Sequence, residues 1–183
     1  MSTATQEGSS GSTFRPLRCA VVTLSDSRGE AEDRSGALII EQLLAAGHEL
    51  TLRRLIRDDA EALRALVRAH RRAEEVEVMI CTGGTGITPR DITPDVLMEE
   101  GTKWLPGFGE LFRWLSYQEI GASTIQSRAG AWLCDRLLTF ALPGSTGAVR
   151  LAMEQILIPQ LDIRTKPCNF AQLLPRIHGR GRA

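Results

Sequence analysis

Residues 76–95 read VEVMICTGGTGITPRDITPD. The first seven, Val76 to Thr82, contain few polar breaks, as expected of a strand covered by helices on both faces. Gly83, Gly84 and Gly86 follow at its carboxyl end, then Asp91, then Thr93, Pro94 and Asp95. The last three read as a helix start, with threonine at the N-cap, proline at the first helical position and aspartate favoured by the macrodipole. A buried strand that passes through a glycine loop into a helix is the repeating unit of a parallel α/β sheet.

The same unit recurs on both sides of this stretch. Upstream, LRCAVVTLS (17–25) reads as a strand, DSRGEAEDRSG (26–36) as a polar loop, and ALIIEQLLAAGHEL (37–50) as a helix closed near Gly47. LTLRRLIR (50–57) supplies a second strand, and after Asp58 and Asp59 comes a helix with Leu63, Leu66, Val67 and His70 on one face. Downstream, residues 106–136 read as helical with breaks, LLTFAL (137–142) as another buried strand, and PGSTGAVRLAMEQILIPQL (143–161) as a turn and a long helix. Residues 162–183 read as an extended, proline-punctuated segment. The predicted fold class is α/β: a three-layer α/β/α arrangement with a mainly parallel sheet, helices on both faces and right-handed crossovers. One domain over residues 15–175 is expected, with a Ser/Thr/Gly-rich flexible arm at 1–14 and a flexible tail at 176–183.

Composition narrows the function classes. Hydrophobic residues make up 43% and charged residues 24% of the 183, an ordinary balance for a globular domain. The formal net charge is zero, so no global field argues for nucleic acid or an anionic membrane, and neither is expected as a partner. Arg64, Arg68, Arg71 and Arg72 recur at helical spacing and read as a solvated helix face. The four cysteines are far apart and form no CxxC pair, which fits reduced, mostly buried thiols. No apolar run approaches membrane-spanning length and the first residues do not resemble a secretory signal, so a cytoplasmic location is expected.

Open parallel sheets bind ligands at the carboxyl ends of their strands. That rule selects four loops: 26–36 with the preceding Ser25, the Asp58 and Asp59 turn, the glycine loop, and LPGST (142–146). The glycines at 83, 84 and 86 fit an anion nest of backbone N–H groups, but the stretch is neither GxGxxG, since Pro89 stands where the third glycine would be, nor a P-loop. On local chemistry an anion nest and a plain tight turn remain equally open. Asp58 and Asp91 could share one Mg²⁺ held also by phosphates and water. Set against that, Asp58 with Glu61 matches an aspartate form of the capping box, the reading favoured for the residue alone. Ser145 after Pro143 and Gly144 reads as an N-cap, itself an anion site. His48, His70 and His178 converge on no nucleophile, and the group Trp104, Phe108, Phe112, Trp114 and Tyr117 reads as core or subunit interface.

Taken in order, TLSDSRGEAEDRSG, CTGGTGITPRDITPD, PGFGELFRWLS, STIQSRAG and ALPGST resemble the MoaB/Mog family of molybdenum-cofactor biosynthesis proteins over about residues 17–175. FRWLSYQEIGASTIQSRA and PQLDIRTKPCNF resemble its MoaB branch. The resemblance implies an α/β/α domain that binds molybdopterin and adenylylates it with Mg²⁺ and ATP, releasing pyrophosphate, a nucleotidyltransferase assembled as a homotrimer or homohexamer that works with other proteins of the pathway. By motif it implies that Gly83, Gly84, Thr85 and Gly86 hold phosphate and that Asp58 and Asp91 serve catalysis and the metal, directly or through water. Glu110, Ser127 and Ser145 would line the pterin pocket, and Ser25 and Asp26 would lie near the nucleotide. A non-catalytic molybdopterin-binding or partner-binding protein of the same pathway is the alternative that the MoaB branch brings.

Overall fold

A computed structural model describes residues 13–26 and 29–179; most of the expected N-terminal arm and the last four residues lie outside this range. Six strands form one sheet in the order β2-β1-β3-β6-β5-β4. They are β1 (Arg18–Leu24), β2 (Glu49–Ile56), β3 (Val78–Thr82), β4 (Lys103–Trp104), β5 (Gly130–Cys134) and β6 (Leu137–Leu142). Strands β2, β1, β3 and β6 are mutually parallel, while β5 runs antiparallel to β6 and β4 antiparallel to β5.

Alternation along the central strands sorts the core into two layers. Cys19 and Val21 of β1, Val78 and Ile80 of β3, and Leu138 and Phe140 of β6 face one side. There they meet Ile39 and Leu43 of α1 (Arg34–Ala45), Phe108 and Phe112 of α4 (Pro106–Ile120), Val149 and Ala152 of α5 (Thr146–Ala152), and Leu174 of α7 (Phe170–Ile177). Ala20, Val22, Met79, Cys81 and Ala141 face the other side. Their partners are Leu63 and Val67 of α2 (Ala60–His70) and Val96 and Leu97 of α3 (Thr93–Glu100). Each fully buried Val, Leu, Ile, Phe or Met among them stabilises the fold by about 1.5–3 kcal/mol through apolar burial. Every residue of β3 is buried because both faces are covered, and the three-layer α/β/α architecture follows. Among the described residues no helix is long and apolar enough to cross a membrane. Cys19, Cys81 and Cys134 are buried free thiols; burial pushes Cys19 and Cys81 up to about 12.

Four local expectations are corrected. GAWLC, read as part of a broken helix, is strand β5; five residues are too few for periodicity to separate the two states, and pairing with β6 decides. Within the segment read as extended, Asn169 caps α7 by accepting from Gln172 N at 2.8 Å. Asp59, not Asp58, caps α2, accepting from the N–H groups of Glu61 and Ala62 at 2.8 and 3.2 Å. Thr93 makes no side-chain cap: its hydroxyl donates to the carbonyl of Gly83 at 2.8 Å. The arginine face of α2 is also tied down, since Arg68 and Arg71 reach the buried Glu100 of α3 at 2.7 and 3.2 Å.

Connections leave β1 toward β2 and β3 toward the opposite half of the sheet. The crevice between the carboxyl ends of β1 and β3 is therefore the topological switch point, where open α/β sheets place their ligands.

Candidate functional site

The cleft at that switch point has a volume of about 550 Å³. Ser25 and Asp26 reach it from the end of β1, Asp58 from the turn after β2, and Gly83, Gly84, Thr85, Gly86 and Asp91 from the loop after β3. Ser145 comes from the loop after β6, and Ser127 from the segment before β5. Glu110 is the one sequence-derived candidate absent from the lining. It is exposed, and two residues, or about 200° around α4, separate it from both core-facing Phe108 and Phe112.

The glycine loop is built by close contact. Gly83 and Gly84 have φ of +104° and +60°, and a Cβ on Gly83 would lie 2.2 Å from the carbonyl oxygen of Leu24. Loop and strand ends are then tied together: Gly83 N donates to Leu142 O at 3.0 Å, Thr82 Oγ1 to Pro143 O at 3.0 Å, and Thr93 N to Gly84 O at 3.0 Å. These bonds bring the loops after β3 and β6 to one rim.

The two leading carboxylates sit in opposite environments. Asp91 Oδ2 accepts from the hydroxyl and the amide of Thr88 at 2.6 and 2.9 Å, and Gly86, lacking a Cβ that would lie 2.8 Å from that oxygen, lets it approach the backbone. The Thr88 hydroxyl foremost, with the backbone of Thr88 and Gly86 and the charge of Arg128, holds the Asp91 carboxyl below its ordinary value against the effect of burial. Asp58 behaves in the reverse sense. Burial first, then the charges of Asp26 and Asp91, push its carboxyl above the ordinary value, with Arg90 pulling the other way. Its Oδ1 is buried without a hydrogen-bond partner. Freed from capping by Asp59, Asp58 lines the cleft, with its unsatisfied Oδ1 buried beside Gly84 of the glycine loop.

Asp26 Oδ1 accepts from Asp58 N at 3.3 Å, and Arg90 approaches Asp26 Oδ2 at 3.6 Å, so three loops meet through one carboxylate. Among the described residues, no group of three or more His, Cys, Asp or Glu side chains is arranged to hold a metal by itself. Magnesium asks for less, since it keeps water and takes one or two carboxylates together with phosphate oxygens. An unsatisfied carboxylate oxygen beside a glycine loop meets that requirement.

The opposite wall was barely visible in the sequence. Ser116, Ser123, Thr124 and Gln126 line it beside Ser127, together with the apolar Phe112, Ile120 and Ala148. Arg128, ambiguous as part of QSRAG, donates from Nε to Gly86 O at 2.7 Å, from Nη1 to Asp95 Oδ1 at 2.6 Å and from Nη2 to Asp91 O. No pattern of spacing announces such contacts, because they join residues 33 to 42 positions apart.

Comparison with known proteins decides the family. Residues 20–163 match the family described as "Probable molybdopterin binding domain". The chain belongs to the MoaB/Mog family. It is 45% identical over 157 residues to molybdenum cofactor biosynthesis protein B of Escherichia coli K12, covering 86% of this chain and 92% of that one. A crystal structure of a molybdenum cofactor biosynthesis protein B superposes with a TM-score of 0.82 at 40% identity, covering 92% of this chain and 99% of that one. The tungsten cofactor synthesizing protein MoaB of Pyrococcus furiosus gives a TM-score of 0.72 at 36% identity, covering 90% and 98%. Within the MoaB/Mog fold, the cleft is therefore assembled from loops at the carboxyl ends of the parallel strands.

Proposed function

We propose that this chain serves molybdenum-cofactor biosynthesis as a molybdopterin adenylyltransferase. The reading is carried by one observation above all: the unsatisfied Asp58 carboxylate and the glycine loop face the same cleft, opposite a wall of hydroxyls. In the proposed reaction a terminal phosphate oxygen of molybdopterin forms a bond to the α-phosphorus of ATP. The bond from that phosphorus to the β-phosphate bridging oxygen breaks, and pyrophosphate leaves with the electron pair.

The glycine loop would offer backbone N–H groups to phosphate oxygens, and Ser145, which already caps α5 through Ala148 N at 3.3 Å, would mark a further anion-accepting end. Ser25 and Asp26 line the cleft and would meet the nucleotide, and Ser127 with its hydroxyl neighbours, which also line it, would meet the pterin. Asp58 and Asp91 would hold Mg²⁺ or the waters around it. Bound there, the ion would offset the charge that develops on the phosphate oxygens.

Purified protein supplied with molybdopterin, ATP and Mg²⁺ should yield adenylylated pterin and pyrophosphate over many turnovers. Asp58→Asn should lower kcat by about 10²-fold or more, the scale typical of losing one charge-stabilising group. The engagement of Asp91 within its own loop favours a second reading, a molybdopterin-binding protein without turnover. Pterin binding by calorimetry with no pyrophosphate released would select it. Exposed Trp104, Trp114 and Tyr117, on β4 and α4, support self-association into the expected trimer or hexamer, which light scattering would measure.

A further inference from the structure

We propose that Arg128 is a positioning residue that locks the glycine loop and Asp91 to the wall carrying Ser127. The inference rests on the functional reading above for its kinetic consequence, though not for its structural one.

The segment between Gly86 and Asp91 is exposed for most of its length, so little apolar packing fixes it. Asp91 organises the segment from inside through Thr88; Arg128 fixes it from outside. One planar guanidinium spans three acceptors on three residues, Gly86 O, Asp91 O and Asp95 Oδ1, and the backbone N–H of Arg128 adds a bond to Thr85 O at 2.9 Å. Both ends of the loop and the first turn of α3 thus hang from one side chain. A lysine ammonium at the same place lacks the rigid fork that satisfies separated acceptors together.

The base of this clamp is itself held. Arg113 of α4 donates to Ala129 O at 3.1 Å and to Ser127 O at 3.4 Å, and Ala129 N donates to Ser127 Oγ at 3.3 Å. Two arginines in series therefore join α4, the Ser127 wall and the glycine loop into one body. A ligand on the hydroxyl wall and a phosphate on the loop would be presented at a fixed separation, which matters because a misplacement of about 1 Å can cost about 10²-fold in rate.

The test compares wild type, Arg128→Ala and Arg128→Lys by amide hydrogen exchange and by steady-state kinetics. Exchange should accelerate in residues 84–95 of both variants while β1 and α1 keep their protection. For adenylylation, kcat should fall about 10- to 100-fold with KM values within about threefold, and added guanidinium ion should restore part of the rate to Arg128→Ala but not to Arg128→Lys. Unchanged exchange in the loop, or an unchanged kcat, overturns the proposal, as does full recovery of both in Arg128→Lys. Should Arg128→Ala fail to fold, the lysine variant carries the same comparisons. A wild-type protein that shows no turnover sinks the adenylyltransferase reading, and the exchange experiment still decides the role of Arg128.

Discussion

Thr93 donates its hydroxyl to the carbonyl of Gly83 at 2.8 Å while its amide donates to the carbonyl of Gly84 at 3.0 Å. One fully buried residue of α3 thereby fixes two successive glycines of the loop. Thr93→Val keeps the shape and removes the hydroxyl, leaving the Gly83 carbonyl short of this partner. A loss of about 1–3 kcal/mol is expected, and a denaturation midpoint equal to wild type would show that the bond contributes nothing.

The two kinds of glycine should separate cleanly. Gly83→Ala forces a Cβ to 2.2 Å from Leu24 O at a φ of +104°, and a cost of at least about 2–3 kcal/mol is expected from strain and clash together. Gly107, in the first turn of α4, has nothing within 4 Å of a Cβ, so Gly107→Ala should stabilise by about 0.4–1 kcal/mol. Thermal melts of both variants check the contrast; equal shifts would contradict it.

Asp58 links function to stability. Burial, with Asp26 and Asp91, raises its carboxyl pKa in the folded chain. The folded state thus binds this proton more tightly than the unfolded state, and the ionised group destabilises the fold above the raised folded pKa. Below the unfolded value, about 3.9, the effect vanishes. Asp58→Asn should therefore raise the Tm of ligand-free protein by about 1–3 °C at pH 7 to 8, with the gain shrinking in acid while activity is lost. A lower Tm at neutral pH would oppose this assignment.

His48 works in the other direction. Its Nδ1 accepts from Leu17 N at 3.3 Å, so the neutral ring carries its proton on the buried, unpartnered Nε2. Burial lowers its pKa despite the opposing charge of Asp162. The neutral ring is thus favoured by folding: its contribution is whole above the unfolded value of about 6.5 and is lost as the pH falls from there through the lowered folded value. Urea unfolding at pH 7.5 and pH 5.5 should show wild type losing more stability on acidification than His48→Leu. Parallel losses in the two proteins would remove His48 as the cause.

How far the sequence reaches can be seen in single residues. Val76 to Thr82 announced a strand buried on both faces, and the glycines after it announced a loop at its carboxyl end, because periodicity and backbone chirality act over a few residues. Ser145 was legible as an N-cap for the same reason, and it caps α5. Asp58, with Glu61 three residues on, reads as the cap of α2, and only the path of the chain into the helix gave that place to Asp59.

By itself, then, the sequence determined the alternation of strands and helices, the layered fold and the family motifs in their order, all written in local spacing. Tertiary structure alone decided that GAWLC pairs as a reversed strand, that Glu110 faces away from the cleft, that Thr93 serves the glycine loop instead of a cap, and that Arg128 reaches three acceptors at once. Those outcomes depend on which groups come together in space, whether 10 residues apart as Thr93 and Gly83 are or 42 apart as Arg128 and Gly86 are, and such contacts leave no periodic trace in the chain.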